Sequence, residues 1–470
     1  MREVHRAGGV EHQDEAQRDE RVRGTQRQGV DEKLHRRHAA VIASTIIPSA
    51  PSTGSGEGSP AEDATARHSR EILAALGMTG VPIPETRPYA GLTLPAALRT
   101  TRSMSVAFST ADRPPAAVTG RSDTRAIGRW LAVVAAMIFA MIVLGALTRL
   151  TESGLSMVEW KPVTGWLPPL GDAAWQAELA KYAQSPQGRL VNQGMTVAQF
   201  KEIFWLEYLH RLWGRLIGLA FALPMLWFLI RGRVPRWLKP RLVVLLLLGG
   251  LQGAVGWIMV ASGLQDAPAV SHYRLALHLV LAISLYAYIL WLAFGLLRPA
   301  APSPLAGDRR VGRAAAAAVV FLFVVLTFGA FVAGLRAGQV HTTFPTMSGY
   351  WIPPGLLELE PAWLNFVATQ TGTQFAHRWL AKILVVLCLA LWVWARRVDA
   401  TAPVRRATTM VALMALIQLG LGIGTILTGA ELAIATVHQA GAVLLLSTLI
   451  LTLRRAWPLQ DALAGPARTG

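Results

Sequence analysis

The sequence predicts an all-α membrane protein, with eight transmembrane helices forming two tandem four-helix bundles related by a pseudo-twofold axis along the membrane normal. Three observations predict it: apolar stretches of spanning length, basic residues confined to alternate connections, and a pattern that recurs in the second half of the chain. Of the 470 residues, 53% are hydrophobic and 16% charged, the balance of a chain whose charges sit in loops and tails. Spans are expected at 130–149, 204–230, 242–262, 274–297, 314–336, 373–395, 407–428 and 435–453, each near the ~20 residues that cross a bilayer.

The net charge of +17 does not indicate nucleic acid. Residues 1–100 hold 13 Lys+Arg and 13 Asp+Glu, so the excess belongs to residues 101–470. There it lies in short loops: Arg231, Arg233, Arg236, Lys239 and Arg241 after the second span, Arg298, Arg309, Arg310 and Arg313 after the fourth, Arg396, Arg397, Arg405 and Arg406 after the sixth, and Arg454 and Arg455 after the eighth. The connections 263–273 and 429–434 contain no Lys or Arg. By the positive-inside rule both termini are expected on the cytoplasmic side, or the matrix side in a mitochondrion. Cys388 is the one cysteine, which rules out an intrachain disulfide and a thiolate metal cluster.

In chain order, residues 1–125 form a polar extension expected to be disordered, because residues 1–103 show no sustained helical or strand period. That stretch is too acidic for a mitochondrial transit peptide and lacks the apolar core of a secretory signal. Met104 or a neighbour is expected to be the true start. Residues 126–300 and 301–456 form the two halves, and 457–470 a disordered tail. The long connection 151–203 is expected to fold over a site. Its Trp160, Trp166 and Trp175 suit a lid at the membrane surface, the plainer reading being interfacial anchors.

The second half repeats the first. Gln374-Phe375-Ala376-His377-Arg378 answers Glu207-Tyr208-Leu209-His210-Arg211 at an offset of 167, and Gln418, Gly422 and Gly429 answer Gln252, Gly256 and Gly263 at 166. His438 answers His278, and Pro353-Pro354 after Trp351 answers Pro168-Pro169 after Trp166. Each half has an even number of spans, so both have the same topology.

Four histidines, His210, His278, His377 and His438, lie within spans. His210 sits six residues, about 9 Å, inside the second span, and the other three lie similarly near the outer ends of theirs. A His pair on facing helices in each half is what axial ligation of a planar macrocycle requires; the alternative for any one of them is a hydrogen bond to a neighbouring helix. Glu207, three residues before His210, shares its helix face, and its counterpart is the neutral Gln374. One pocket with an ionisable group and one without suggests a reactive site beside a cofactor site, unless Glu207 only orients His210 or pairs with an arginine. Arg149, Arg211, Arg336 and Arg378 suit the propionates of a haem, or snorkel to the interface.

Thr148-Arg149-Leu150-Thr151-Glu152-Ser153-Gly154-Leu155-Ser156-Met157, Trp160-Lys161-Pro162-Val163-Thr164-Gly165, Asn192-Gln193-Gly194-Met195 and Phe204-Trp205-Leu206-Glu207-Tyr208-Leu209-His210-Arg211 resemble the haem A synthase family, in the form found in alphaproteobacteria and mitochondria. The resemblance covers about residues 125–456. It implies an eight-helix enzyme of the bacterial inner membrane that oxidises the C8 methyl of haem O to the formyl of haem A, with water as the oxygen source, for terminal oxidases. It further implies that His210 and His278 receive haem O as substrate, that Glu207 acts at the reacting methyl, and that His377 and His438 hold haem b. Haem O synthase and oxidase assembly factors are the implied partners, and a homo-oligomer stays open. Some members have a cysteine pair in the first outer loop; this chain has none. The competing reading is a transmembrane bis-haem electron carrier without chemistry of its own, which calls for two equivalent pockets.

The charge alternation yields a direct test. A reporter fused after Arg454 is expected on the cytoplasmic side and one inserted within 171–190 on the opposite side; any other outcome refutes the eight-span topology.

Overall fold

The computed structural model describes residues 120–161, 164–265, 267–297 and 305–457; most of the N-terminal extension and the tail from 458, both expected to be disordered, lie outside the described residues. Among the described residues, eight helices are long and apolar enough to cross a membrane. They are α1 (Gly120–Leu150), α2 (Val197–Ile230), α3 (Lys239–Leu264), α4 (His272–Leu297), α5 (Ala306–Gly334), α6 (Gln370–Arg397), α7 (Ala402–Leu427) and α8 (Leu432–Ala456). The chain is an all-helical, multi-pass membrane protein. Residues 120–125, expected in the extension, already lie in α1.

The helix ends differ from the expected spans by a few residues, for local reasons. α5 stops at Gly334 because Arg336 adopts a left-handed φ of 53°, and α7 stops at Leu427 ahead of Gly429 at 62°, the backbone state that closes helices. α2 starts at Val197, two turns before Phe204, because Thr196 and Gln199 form a capping box. Its 34 residues span about 50 Å, more than the ~30 Å hydrocarbon layer. The first turns therefore rise above the membrane. Trp175 and Tyr182, from the short helix Asp172–Ala183, bury against Phe200, Phe204 and Tyr208 of α2 as a small separate core. This fastens the long connection to α2 on what we term the loop face.

Packing follows the same order of neighbours in both halves. α1 packs on α2 and α4 and α3 on α4, while α5 packs on α6 and α8 and α7 on both α6 and α8. The halves meet along α1, α4, α5 and α8, through one continuous apolar core. Polar bonds cross that seam, as expected where hydrocarbon supplies no hydrophobic drive between helices. Tyr286 and Ser447 hydroxyls lie 2.8 Å apart, and the Gln439 amide donates to the Ile142 carbonyl at 3.2 Å.

At the loop face the seam is clasped more firmly. Arg149 of α1 donates to the Ala333 and Gly334 carbonyls, at 2.7 and 3.1 Å, so a cation from one half caps the carbonyl end of α5 in the other. Arg336 pairs with Glu152 at 2.7 Å, and His272, the first residue of α4, donates from Nε2 to the Val367 carbonyl at 2.9 Å. The Arg336–Glu152 pair is partly exposed, so its contribution is small. Arg149→Ala is expected to cost about 2–3 kcal/mol, because two carbonyls lose a charged donor, and Glu152→Ala under ~1 kcal/mol. Equal losses in denaturant unfolding of the detergent-solubilised protein would show that the Arg149 clasp contributes no more than a surface pair.

Candidate functional site

Each of the four intramembrane histidines rests its ring on a glycine of the preceding span. A Cβ built on Gly145 would lie 3.2 Å from His210 Cε1, on Gly256 2.9 Å from His278, on Gly329 3.1 Å from His377, and on Gly422 3.0 Å from His438. Any larger residue would push the imidazole aside, so glycine sets where each ring sits. His210 and His278 are near enough to interact electrostatically, as are His377 and His438.

The rings are held by repeated devices that differ at one point. The Gln252 amide nitrogen lies 3.1 Å from His278 Nδ1 and donates to the His278 carbonyl at 3.0 Å; Gln418 treats His438 the same way, at 3.1 and 2.8 Å. His377 Nδ1 lies 3.1 Å from the Val325 carbonyl. A carbonyl only accepts, so Nδ1 carries the proton and Nε2 keeps the lone pair, the form a metal takes. The Nδ1 of His210, its counterpart, is buried with no hydrogen-bond partner.

Glu207 and Gln374 face the long connections, with opposite polarity. Glu207 is 3% exposed. Its Oε2 accepts from the Ser156 hydroxyl at 2.7 Å and the Met157 N–H at 2.8 Å, and its Oε1 from Arg211 at 2.5 and 3.0 Å. Arg211 goes on to donate to the Glu159 and Met157 carbonyls at 2.9 and 2.8 Å. In the second half Arg378 donates to the Thr343, Thr346 and His341 carbonyls, and Gln374 donates to His341 at 3.1 Å. A carboxylate thus receives loop donors where an amide supplies one to a loop carbonyl. His341 bonds Ser348 and Thr371, and burial, then the Arg378 charge, holds its pKa below the usual histidine value.

The expected residues are therefore brought together in part. His210 and His278 gather in one half, with Glu207 on the helix of His210, and His377 and His438 gather in the other. The four arginines are all engaged by protein groups: Arg149 and Arg336 at the seam, Arg211 and Arg378 on the connections. Sequence reasoning missed Ser156, Val325, Gly145 and Gly329. The two glycines carried a signal, since each precedes a histidine-bearing span. Val325 acts through its backbone, which no side-chain pattern announces.

The donor set suits haem. Each half offers two imidazoles, and among the described residues no three His, Cys, Asp or Glu side chains converge. Two axial nitrogens are what a metal that brings its own equatorial ring needs.

Comparison with known proteins agrees. The model of the COX15-CtaA family, described as a cytochrome oxidase assembly protein, matches residues 128–450. Haem A synthase of Rhodospirillum centenum is 48% identical over 347 residues, 73% of this chain and 92% of that protein. The haem A synthases of Nitrosospira multiformis and Rhodopseudomonas palustris are 46% and 47% identical, across 68% and 72% of this chain and 90% and 93% of theirs. With its repeated histidine frame inside a match of that length, the chain belongs to the COX15-CtaA family of cytochrome oxidase assembly proteins.

Proposed function

We propose that this chain is a haem A synthase, an oxidoreductase that converts the C8 methyl of haem O to a formyl group for terminal oxidase assembly. One observation carries the reading: in a frame of paired histidines repeated in both halves, Glu207 stands where the other half has Gln374. A bis-haem carrier needs no such difference. The names of the similar proteins support the same activity. The two halves are taken as related by an axis along the membrane normal, in a bacterial inner membrane with both termini cytoplasmic, and haem O synthase as the supplier of substrate.

On this reading His210 and His278 hold haem O. His377 and His438 hold haem b, with Val325 fixing the His377 tautomer; haem b, when bound, supplies a one-electron relay. Converting the methyl to formyl takes one oxygen from water and releases four protons and four electrons, the electrons going to a one-electron acceptor. Glu207 accepts protons or offsets positive charge developing at the methyl. Arg211 and the Ser156 hydroxyl fix where that carboxylate stands.

His377→Ala and His438→Ala are each expected to lose haem b from the purified protein, since each removes one of the two imidazoles that would hold it. Normal haem b in both would overturn the assignment of that pair. Glu207→Gln should keep haem b while lowering haem A production by ~10²-fold or more, the scale of losing a general base or charge-stabilising group. Ser156→Ala, which keeps the carboxylate and removes one of its loop bonds, should cost less than about tenfold. Pigment extraction, resolving haem b, haem O and haem A, reads both outcomes; equal losses would make Glu207 a loop anchor only.

A further inference from the structure

Each half carries the same uncharged aromatic turn in its long connection, and the proposed reaction uses neither. Trp166-Leu167-Pro168-Pro169-Leu170 follows α1, and Trp351-Ile352-Pro353-Pro354 follows α5. No charged residue occurs between Lys161 and Asp172, or between His341 and Glu358. Leu167 and Leu170 are 76% and 74% exposed and Ile352 is 70% exposed, with Trp351 and Leu357 bare beside it. Apolar side chains gathered in this way mark a surface that meets a membrane or another protein.

The helices beside the first turn decide which. Arg231 caps α2, and the ~20 residues that cross the hydrocarbon layer, counted back from it, end in the turn that holds Glu207 and Arg211. Trp166 is fastened to that turn. Its carbonyl accepts from the Tyr208 hydroxyl at 2.6 Å, and its ring faces Arg215, with the guanidinium 5.6 Å from the centroid. Lys239 opens α3, and the same count from it ends beside Trp257, on which Trp160 stacks with centroids 5.0 Å apart. Two helices thus place Trp160 and Trp166 at the loop-side boundary of the hydrocarbon. In the second half the count back from Arg397, the last residue of α6, ends beside Arg378, which donates to the Thr343 and Thr346 carbonyls at 2.9 and 3.3 Å. The second turn follows directly on those carbonyls.

We propose that the two turns are membrane anchors, seated in the lipid where headgroups give way to acyl chains on the loop face. Tryptophan favours that boundary, with its ring in the apolar layer and its N–H toward water. Proline has no N–H, so Pro168-Pro169 and Pro353-Pro354 carry backbone into a poorly hydrated layer without adding donors that need water. Leu167, Leu170 and Ile352 meet acyl chains. In the first half they continue the surface of α2, where Leu219, the next turn after Arg215 on the same face, and Leu223 are exposed within the span. Past Leu170 the connection climbs to the helix Asp172–Ala183, whose Trp175 buries against Phe200 and Phe204. The connection that bonds Glu207 through Ser156 and Met157 is thereby held to the bilayer as well as to α2.

The test reads the surroundings of single positions. In a Cys388→Ala background, which removes the one native thiol, Leu167→Cys, Leu170→Cys, Ile352→Cys and Ala177→Cys are each labelled with bimane, in the full chain held in phosphatidylcholine nanodiscs. All four positions are exposed, so the labelled variants should fold as their parent does. Ala177, on the helix Asp172–Ala183 above the boundary, is the water-facing reference. Labels at 167, 170 and 352 should be quenched by phosphatidylcholine brominated on its acyl chains, and about tenfold less than the reference by iodide, because apolar surroundings exclude an anion. Iodide quenching equal to that at Ala177 would overturn the anchor on that turn. Protection from both quenchers would overturn it too, since a protein surface rather than lipid would then cover the turn.

Discussion

A carboxylate buried within a membrane helix is tolerable only when neighbouring donors replace water, and the arrangement around Glu207 is organised by that need. An unpaired buried charge costs several kcal/mol, and removing one partner of a buried pair costs on the order of 3–5 kcal/mol. Arg211, one turn along α2, supplies the countercharge, and Ser156 and Met157 supply the remaining donors. These last two belong to the connection after α1, so satisfying the carboxylate also fixes where that connection lies. This anchor fixes the start of the connection, which is fastened again further on by the Trp175 and Tyr182 core on α2.

The histidines obey the opposite constraint. An imidazole in a span must leave one nitrogen uncommitted to bind iron, so its hold comes from packing and from the other nitrogen. Glycine on the preceding span supplies the packing in all four cases. His377 has that second hold in a backbone carbonyl; at His278 and His438 the Gln252 and Gln418 amide nitrogens lie against the ring as donors and also hold the backbone carbonyl of the histidine. His210 lacks that second hold, and it is the histidine beside Glu207. A ring positioned on one side only has more freedom to adjust to a ligand that comes and goes.

Much of this was legible in sequence because membrane spans leave strong marks. Hydrophobic length located the helices, and the Glu207/Gln374 and His repeats located the polar groups, since intramembrane polar residues are costly and therefore conspicuous. The direction in which those groups point was not legible. Sharing a helix face with His210 placed Glu207 beside that histidine but did not reveal that Ser156 and Arg211 hold its carboxylate. Arg149 looked suited to a propionate but caps α5 across the seam, a contact between residues 184 positions apart that no local pattern encodes. The role of Val325 is carried by a carbonyl common to every residue.

A protein that keeps one haem and processes another faces two demands that a symmetric repeat cannot meet together. The halves do differ in how tightly one helix is held: α7 packs extensively on α6 and α8, whereas α3 packs lightly on both α2 and α4. The histidine frame depends on glycines at the ring positions of both halves, and neighbouring positions on the same helices are free to differ. Gly256 and Gly422 therefore match between halves, while Gly253 and Leu419, three residues earlier, do not. On the proposed reading, the matched glycines keep the histidine geometry in both halves, while the unmatched positions let the two halves differ around it.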